Sequence, residues 1–593
     1  MSGAQSGAGS ERAPGTGSSA IEIEGFSFSY QGSGAWQLSA ITTGLARGER
    51  LAVMGATGAG KSTLAMALNG LIPHHHSGQT HGGVRVDGLD TAHTSTTELV
   101  RRVGLVMQDP ETQITGQTVL GDAAVGPANL GLPRETVLDR AGRALDLVGM
   151  QGLEDRDATA LSGGQKQRLA IAGIIAMQPE TLVLDEPTSE LDPQATAEVF
   201  EVVKRLSTET ETSLIMIDHE PEIIASWADR LLVLLAGRVV YDGGPGGFFA
   251  DPDAVAAAGL RSPQVAEIAL ALRDRGAYTG PIPATLEDAA AVLPRFATAA
   301  AVAPHPVAPE DRVPADEGEI VVDARGLGHV YPGGVAALAD VDVQIRAGEF
   351  LAVLGRNGAG KTTFARHLNG LLRPSSGSLS IAGQDSSGLS VGRLAMHVGY
   401  VFQNPDHQIF ANSVRDEIGY GLKNQGWEPD RIAARVDAVL ERVDMTEFAE
   451  RHPFTLGKGQ RQRLAVASVL ALEPEVLVID EPTTGQDHVG ARAMLELIAD
   501  LNGSGHTVVM ITHDMTLVAE YARRTLLFAG GRLIADTTPR ELFGSADLLE
   551  RSSLVPPQAT LLAQRLGASR TVTTPHEYLE LFAAARGEAS DAH

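Results

Sequence analysis

Two octapeptides in this chain have the residue types that hold phosphate. Gly55-Ala56-Thr57-Gly58-Ala59-Gly60-Lys61-Ser62 and Gly355-Arg356-Asn357-Gly358-Ala359-Gly360-Lys361-Thr362 both fit G-x-x-x-x-G-K-[ST]. Glycines let successive backbone N–H groups turn toward one anion beside a helix N-terminus. Lys61 and Lys361 are the candidate cations for the β- and γ-phosphates of ATP. Ser62 and Thr362 offer hydroxyls to Mg²⁺, and Thr63 and Thr363 extend each binding loop. Downstream, Leu182-Val183-Leu184-Asp185-Glu186 and Val478-Ile479-Asp480-Glu481 each run from an apolar stretch into two carboxylates. The first of each pair, Asp185 or Asp480, suits Mg²⁺ through its water shell. The second, Glu186 or Glu481, suits orienting and deprotonating an attacking water. His219 and His513 end the next apolar stretch, where an imidazole would reach the γ-phosphate. Gln108 and Gln403 follow the short apolar runs 105–107 and 401–402 and would meet the metal or the water. Tyr30 and Tyr331 precede their loops by about 25 residues and offer a ring for adenine to stack on.

These residues recur in one register. The first loop glycines stand 300 residues apart, and the Asp-Glu pairs 295 apart. Leu161-Ser162-Gly163-Gly164-Gln165 and Leu456-Gly457-Lys458-Gly459-Gln460 are also 295 apart, and the two histidines 294. Such spacing marks a duplicated nucleotide-binding domain, and two copies in one chain imply a built-in dimer.

The elements that must position these groups read as mixed α/β. Residues 21–30 alternate as a strand. Arg50–Met54 is a short apolar strand running into the first loop, and 61–71 follows as a helix. The continuous apolar runs 181–184, Ser213–Ile217 and 231–236 suit a parallel sheet buried on both faces. Phe350–Leu354, 475–479 and Thr507–Ile511 repeat the pattern. Between each loop and its Asp-Glu pair, 110–178 and 405–473 predict an inserted helical subdomain. Ser262-Pro263-Gln264 and Pro556-Pro557-Gln558 each open an Ala/Leu-rich helix, and helical segments at 285–293 and 574–582 follow. The expected organisation is an arm at 1–20, nucleotide-binding domains at 21–250 and 319–545, helical appendages at 251–293 and 546–593, and a linker at 294–318. About 25 linker residues reach up to ~80 Å, enough for the halves to face each other.

Composition narrows the function. The 593 residues carry a formal net charge of −26, against the basic footprint that nucleic-acid binding requires. No cysteine is present, which excludes disulfides, zinc ribbons and iron–sulfur clusters. No apolar run approaches the ~20 residues of a membrane helix. Residues 1–20 are rich in Gly, Ser and Ala without an apolar core, and read as an arm rather than a signal peptide.

Together the phosphate loop, Gln108, Leu161–Gln165, Asp185-Glu186, the Ser189-Glu190-Leu191-Asp192 turn and His219 resemble the ATP-binding-cassette (ABC) ATPases. The resemblance covers nearly the whole chain apart from the arm and linker. It implies two P-loop NTPase domains in tandem, each with a RecA-like parallel core, an antiparallel β part and a helical insert. It also implies head-to-tail pairing, in which each ATP lies between one half's phosphate loop and the other half's signature segment: Ser162, Gly163, Gly164 and Gln165, or Gly457, Gly459 and Gln460.

Gln108-Asp109-Pro110-Glu111-Thr112-Gln113-Ile114 and Gln403-Asn404-Pro405-Asp406-His407-Gln408-Ile409 are similar to the energy-coupling-factor (ECF) class of importers. That resemblance implies a peripheral position on the cytoplasmic membrane face. It further implies a membrane coupling subunit, a separate membrane substrate-binding subunit, and a vitamin or transition-metal ion as cargo, with no nucleic acid. A soluble two-cassette ATPase acting on the ribosome or RNA and a two-cassette sugar-importer ATPase share the layout and remain alternatives. The second signature segment departs from the pattern. Gly457 stands for the serine and Lys458 for a glycine, so the site built on Lys61 and Glu186 is expected to be the weaker, unless Lys458 supplies a compensating cation. His74, His75, His76 and His81 form a cluster that the second half lacks, read as a solvated loop with metal binding as the alternative.

Overall fold

The computed structural model describes residues 19–189, 191–210, 212–296 and 318–585. The expected arm (but for its last two residues), most of the linker and the end of the tail lie outside them.

The four apolar runs of the first half, and the three of the second, align in one sheet per half because no strand among them has a polar face to give to water. In the first half the six-stranded order is Arg238–Gly243, Arg230–Leu235, Arg50–Met54, Ser213–Ile217, Thr181–Asp185 and Val103–Val106. All neighbours pair in parallel except the edge hairpin. The second half repeats the order with Arg532–Thr537, Arg524–Ala529, Phe350–Leu354, Thr507–Ile511, Val476–Asp480 and Val398–Val401. This order decides the site. The C-terminal ends of four adjacent strands carry, side by side, the phosphate loop, His219 or His513, the Asp-Glu pair and the glutamine. Open α/β sheets bind ligands at such an edge.

A second, antiparallel sheet of four strands covers one face in each half. In the first half its Ile21, Phe28 and Ile41 close a core over the helix Lys61–Leu68. That helix stops short of the expected residue 71, because Gly70 adopts φ +78°, a left-handed turn that ends the α-helical ladder. The opposite face packs against the helix Pro193–Glu209 and the helical insert, which contains Arg134–Leu147 and Gly163–Ile175. Val414–Asn424, Pro429–Arg442 and Lys458–Leu470 are the counterparts in the second half.

The two appendages build one core. Helices Gln264–Asp274 and Leu286–Val292 of the first half pack with Gln558–Arg565 and Pro575–Ala585 of the second. The repeated Pro-Gln step explains the symmetry. Gln264 Oε1 accepts from the Ala559 N–H at 2.9 Å, and Gln558 Oε1 accepts from the Val265 N–H at 3.4 Å. Phe296, inside the stretch expected as linker, is buried in this core, and its N–H donates to the Leu566 carbonyl. Leu562 is fully buried there. Leu562→Ala is expected to cost about 2–5 kcal/mol, because the cavity collapses only in part. A urea midpoint unchanged from the parent would contradict this.

Candidate functional site

At the end of each central strand the phosphate loop turns so tightly that a side chain has no room. Gly55 and Gly355 have φ +153° and +137°, and a Cβ on either would collide with the carbonyl of Leu234 or Phe528. Lys61 Nζ donates to the Gly55 and Ala56 carbonyls at 2.7 and 3.2 Å, folding the ammonium over the loop. Lys361 does the same toward Gly355 and Arg356. Tyr30 and Tyr331 lie near their loops, with each hydroxyl sharing a hydrogen bond with Thr63 or Thr363 at 3.1 and 3.2 Å.

The strand-end carboxylates face these loops. Asp185 and Asp480 are buried, and burial pushes both up to about 6. The Ser62 side chain lies near enough to Asp185 in the first half to oppose that shift. In the second half the Tyr400 hydroxyl donates to Asp480 at 2.8 Å. Hydroxyl, carboxylate and amide oxygens from Ser62, Asp185 and Gln108, or from Thr362, Asp480 and Gln403, are the hard donors that Mg²⁺ prefers, so these residues fit the ion.

Glu186 and Glu481 adopt φ +49° and +48°, a left-handed conformation that costs a non-glycine residue roughly 1–3 kcal/mol. Each backbone N–H is anchored to the neighbouring strand, at the Ile217 and Ile511 carbonyls. The strain swings the carboxylate toward the glutamine. Gln108 Nε2 donates to Glu186 at 2.7 Å, and Gln403 Nε2 to Glu481 at 3.0 Å.

The halves then diverge. His513 Nδ1 is 3.2 Å from Glu481 Oε1, and Thr484 Oγ1 donates to Oε2 at 3.0 Å. His219 stands 4.0 Å from Glu186, and Ser189, at the position of Thr484, turns its hydroxyl to the Glu186 backbone carbonyl. Burial is the largest single influence on Glu481 and His513 and opposes charge on both, but their mutual hydrogen bond and charge attraction, with Thr484 and Lys361 acting on Glu481 and Asp514 on His513, together outweigh it. They hold the carboxyl below its usual range and the imidazole above.

Two residues outside the predicted set join the halves. Asp192 caps the helix Pro193–Glu209 through Oδ1, which accepts from the Ala195 N–H at 2.8 Å. Its other oxygen accepts from the Asn357 N–H, in the phosphate loop of the opposite half, at 3.0 Å. Asp487 repeats this, with Oδ1 on the Gly490 N–H and Oδ2 on the Thr57 N–H at 2.8 Å. In sequence an aspartate before a helix reads as an N-cap. Its second acceptor becomes visible only when the partner loop arrives. Thr484 and Tyr400 were likewise not legible as site residues, because a hydroxyl in a turn and a tyrosine in a strand are common.

The signature segments lie beside these aspartates. Ser162 caps the helix Gly163–Ile175, and Gln165 Oε1 accepts from the Ser162 N–H at 3.1 Å. Gly457 keeps the reciprocal bond to Gln460 but has no hydroxyl to offer. The Lys458 ammonium lies against Gly485 of its own half, where a Cβ would collide with it.

The Gln-x-Pro-x-x-Gln-Ile stretches form braced loops. Asp109 and Asn404 cap a short turn begun by Pro110 and Pro405. Gln113 and Gln408 accept from the Met107 and Phe402 N–H groups. The buried Asp122 accepts from the Thr115 and Gly116 N–H groups, and Glu417 from Phe410 and Ala411. The loop that carries Gln108 or Gln403 is thus held at both ends.

In the His cluster, His74 Nε2 lies 2.9 Å from the Thr91 carbonyl and His81 packs beside Trp36. Among the described residues no three His, Cys, Asp or Glu side chains converge as metal ligands. No helix among them is long and apolar enough to cross a membrane.

A nucleotide edge of this composition, present twice and paired through the opposite phosphate loops, defines a tandem P-loop ATPase. The family model described as "ABC transporter" matches residues 38–189 and 338–484. A protein of Methanosarcina acetivorans, provisionally named an ABC transporter ATP-binding protein, is 43% identical over 558 residues, covering 92% of this chain and 90% of its own. A similarly named protein of Caldanaerobacter subterraneus subsp. tengcongensis is 40% identical over 523 residues, covering 88% and 91%. Among solved structures, cbiO1 from Clostridium perfringens, part of the ABC transporter complex cbiONQ, is 30% identical. It covers 44% of this chain and 98% of its own, with a TM-score of 0.37. The chain belongs to the ABC transporter family, as an ATP-hydrolysing subunit with two cassettes.

Proposed function

We propose that this chain is the ATPase motor of an importer of the ECF type, peripheral to the cytoplasmic face of the membrane. Its cargo is a vitamin or a transition-metal ion, carried by a separate substrate-binding membrane subunit through a membrane coupling subunit. The observation that carries the ATPase half of this reading is the reciprocal pair of contacts from Asp192 to Asn357 and from Asp487 to Thr57. Those contacts bring the Asp192 and Asp487 turns onto the opposite phosphate loops within one chain, which supports composite sites closed by each half's signature segment without a second copy.

In each composite site the loop N–H groups and Lys61 or Lys361 bind the β/γ-phosphates, and Tyr30 or Tyr331 receives the adenine. Glu186 or Glu481 orients a water and takes its proton, while His219 or His513 and the opposing Ser162 or Gly457 segment steady the γ-phosphate. Mg²⁺, held by Ser62, Asp185 and Gln108 or by Thr362, Asp480 and Gln403, would offset phosphate charge.

Support for a membrane partner comes from the braced glutamine loops. Beside the second, Phe410 and Tyr420 are 59% and 45% exposed and meet edge to face at 4.5 Å. Aromatic pairs left in water commonly serve as binding anchors. Affinity purification from detergent-solubilised membranes is expected to recover small hydrophobic subunits, and Phe410→Ala with Tyr420→Ala to reduce that recovery while basal ATP turnover persists. Recovery of ribosomes in their place would overturn the importer reading.

A further inference from the structure

Outside the nucleotide edge, a group of charges at the junction of the halves surrounds Arg261. It precedes the Ser262-Pro263-Gln264 step that opens the shared helical unit. Its guanidinium forks onto the turn after His219, with Nη2 to Glu220 at 2.8 Å and Nη1 to Glu222 at 2.7 Å. Glu220 is the residue next to His219 and begins the helix Pro221–Trp227. Two residues upstream, a Cβ on Gly259 would lie 3.7 Å from Ala56 of the first phosphate loop and 3.5 Å from Val489 of the second half. The segment therefore runs between the first phosphate loop and the helix that Asp487 caps.

Asp514 of the second half also helps to hold Arg261 charged, and Glu220 feels the same Asp514. His488, Glu520 and Glu267 sense Arg261 as well. One cation thus lets carboxylates of both halves approach each other. The second half has no equivalent. Val555 occupies the matching position, 56% exposed, and Asp514 spends its carboxylate capping its own helix through the Thr516 and Leu517 N–H groups.

We propose that Arg261 is a one-sided positioning residue, tying the shared helical unit to the His219 turn so that the Lys61/Glu186 site, and not the Lys361/Glu481 site, depends on that unit. Bidentate charged hydrogen bonds hold a turn in one geometry. Without Arg261 the His219 turn loses its anchor, and Glu220 faces Asp514 unscreened.

The inference rests on the two-site ATPase reading, so the parent variants are assayed first. Glu481→Gln leaves the first site to work and Glu186→Gln the second. Absence of ATP turnover in both parents and in the unmodified chain would strike the ATPase reading itself. In the Glu481→Gln background, Arg261→Ala is expected to lower kcat about tenfold while KM for ATP moves less than about twofold. In the Glu186→Gln background the change stays within about twofold, and in the Glu481→Gln background Arg261→Lys recovers only part of the loss, because an ammonium lacks the fork that holds both carboxylates. Independently of turnover, hydrogen exchange in the Arg261→Ala chain should quicken more across 218–227, which carries both hydrogen-bond partners of Arg261, than across 512–521. Equal losses in both backgrounds, or unchanged exchange at 218–227, would overturn the proposal.

Discussion

Replacing Glu481 by glutamine is expected to remove most of the ATP turnover, whereas Glu186→Gln leaves the larger part intact. Three donors converge on Glu481: Gln403, Thr484 and His513. They fix the carboxylate and keep it ionised at neutral pH, the state a base needs. Glu186 has Gln108 at 2.7 Å, but His219 stands at 4.0 Å and the Ser189 hydroxyl, in the place of Thr484, turns to the Glu186 backbone carbonyl rather than to the carboxylate. The signature segments push the same way. In the proposed head-to-tail pairing the Glu481 site faces Ser162, while the Glu186 site faces Gly457. A missing hydrogen bond to a charged phosphate costs roughly 1.5–3 kcal/mol, or about 10- to 100-fold in rate. Loss of the base at the working site lowers its rate by about 10²–10⁴-fold. Steady-state ATPase assays of the two single variants test the ranking, and the reverse order would sink it.

Ser162→Arg is expected to lower turnover as far as Glu481→Gln does, although Ser162 lies in the opposite half of the sequence. The substitution removes a helix cap, at about 1 kcal/mol, and drives a long cation into the face that meets the second phosphate loop. The combinations carry the argument. Adding Ser162→Arg to Glu481→Gln should change little, since both disable one site. Adding it to Glu186→Gln should leave almost nothing, since the two disable different sites. Should Ser162→Arg with Glu186→Gln retain the turnover of Glu186→Gln alone, the head-to-tail assignment fails. A melting temperature close to the parent's would exclude unfolding as the cause.

Much of this site was legible in the chain because its parts are local. A phosphate loop is a backbone conformation that its own glycines permit, and the apolar runs ending in Asp185-Glu186 and Asp480-Glu481 could hardly be anything but buried strands. The repeated Gln-x-Pro-x-x-Gln-Ile stretches were visible as a pattern, yet their use was not. Gln113 and Gln408 turned out to brace the loop, through bonds to backbone groups six residues away.

What sequence determined by itself was therefore the inventory: two loops, two carboxylate pairs, two histidines, a helical appendage on each half, and a second signature segment that lacks its serine. Tertiary structure alone decided how these are shared. Asp192 and Asp487 become cross-half ligands only where a strange loop's N–H meets the spare oxygen of a helix cap. The appendages become one core only because each buries the other's apolar face. The physical reason is range. Backbone conformation and burial pattern are written in neighbouring residues, whereas a hydrogen bond such as that between Thr57 and Asp487 joins groups 430 residues apart. Its existence depends on the packing of two whole domains.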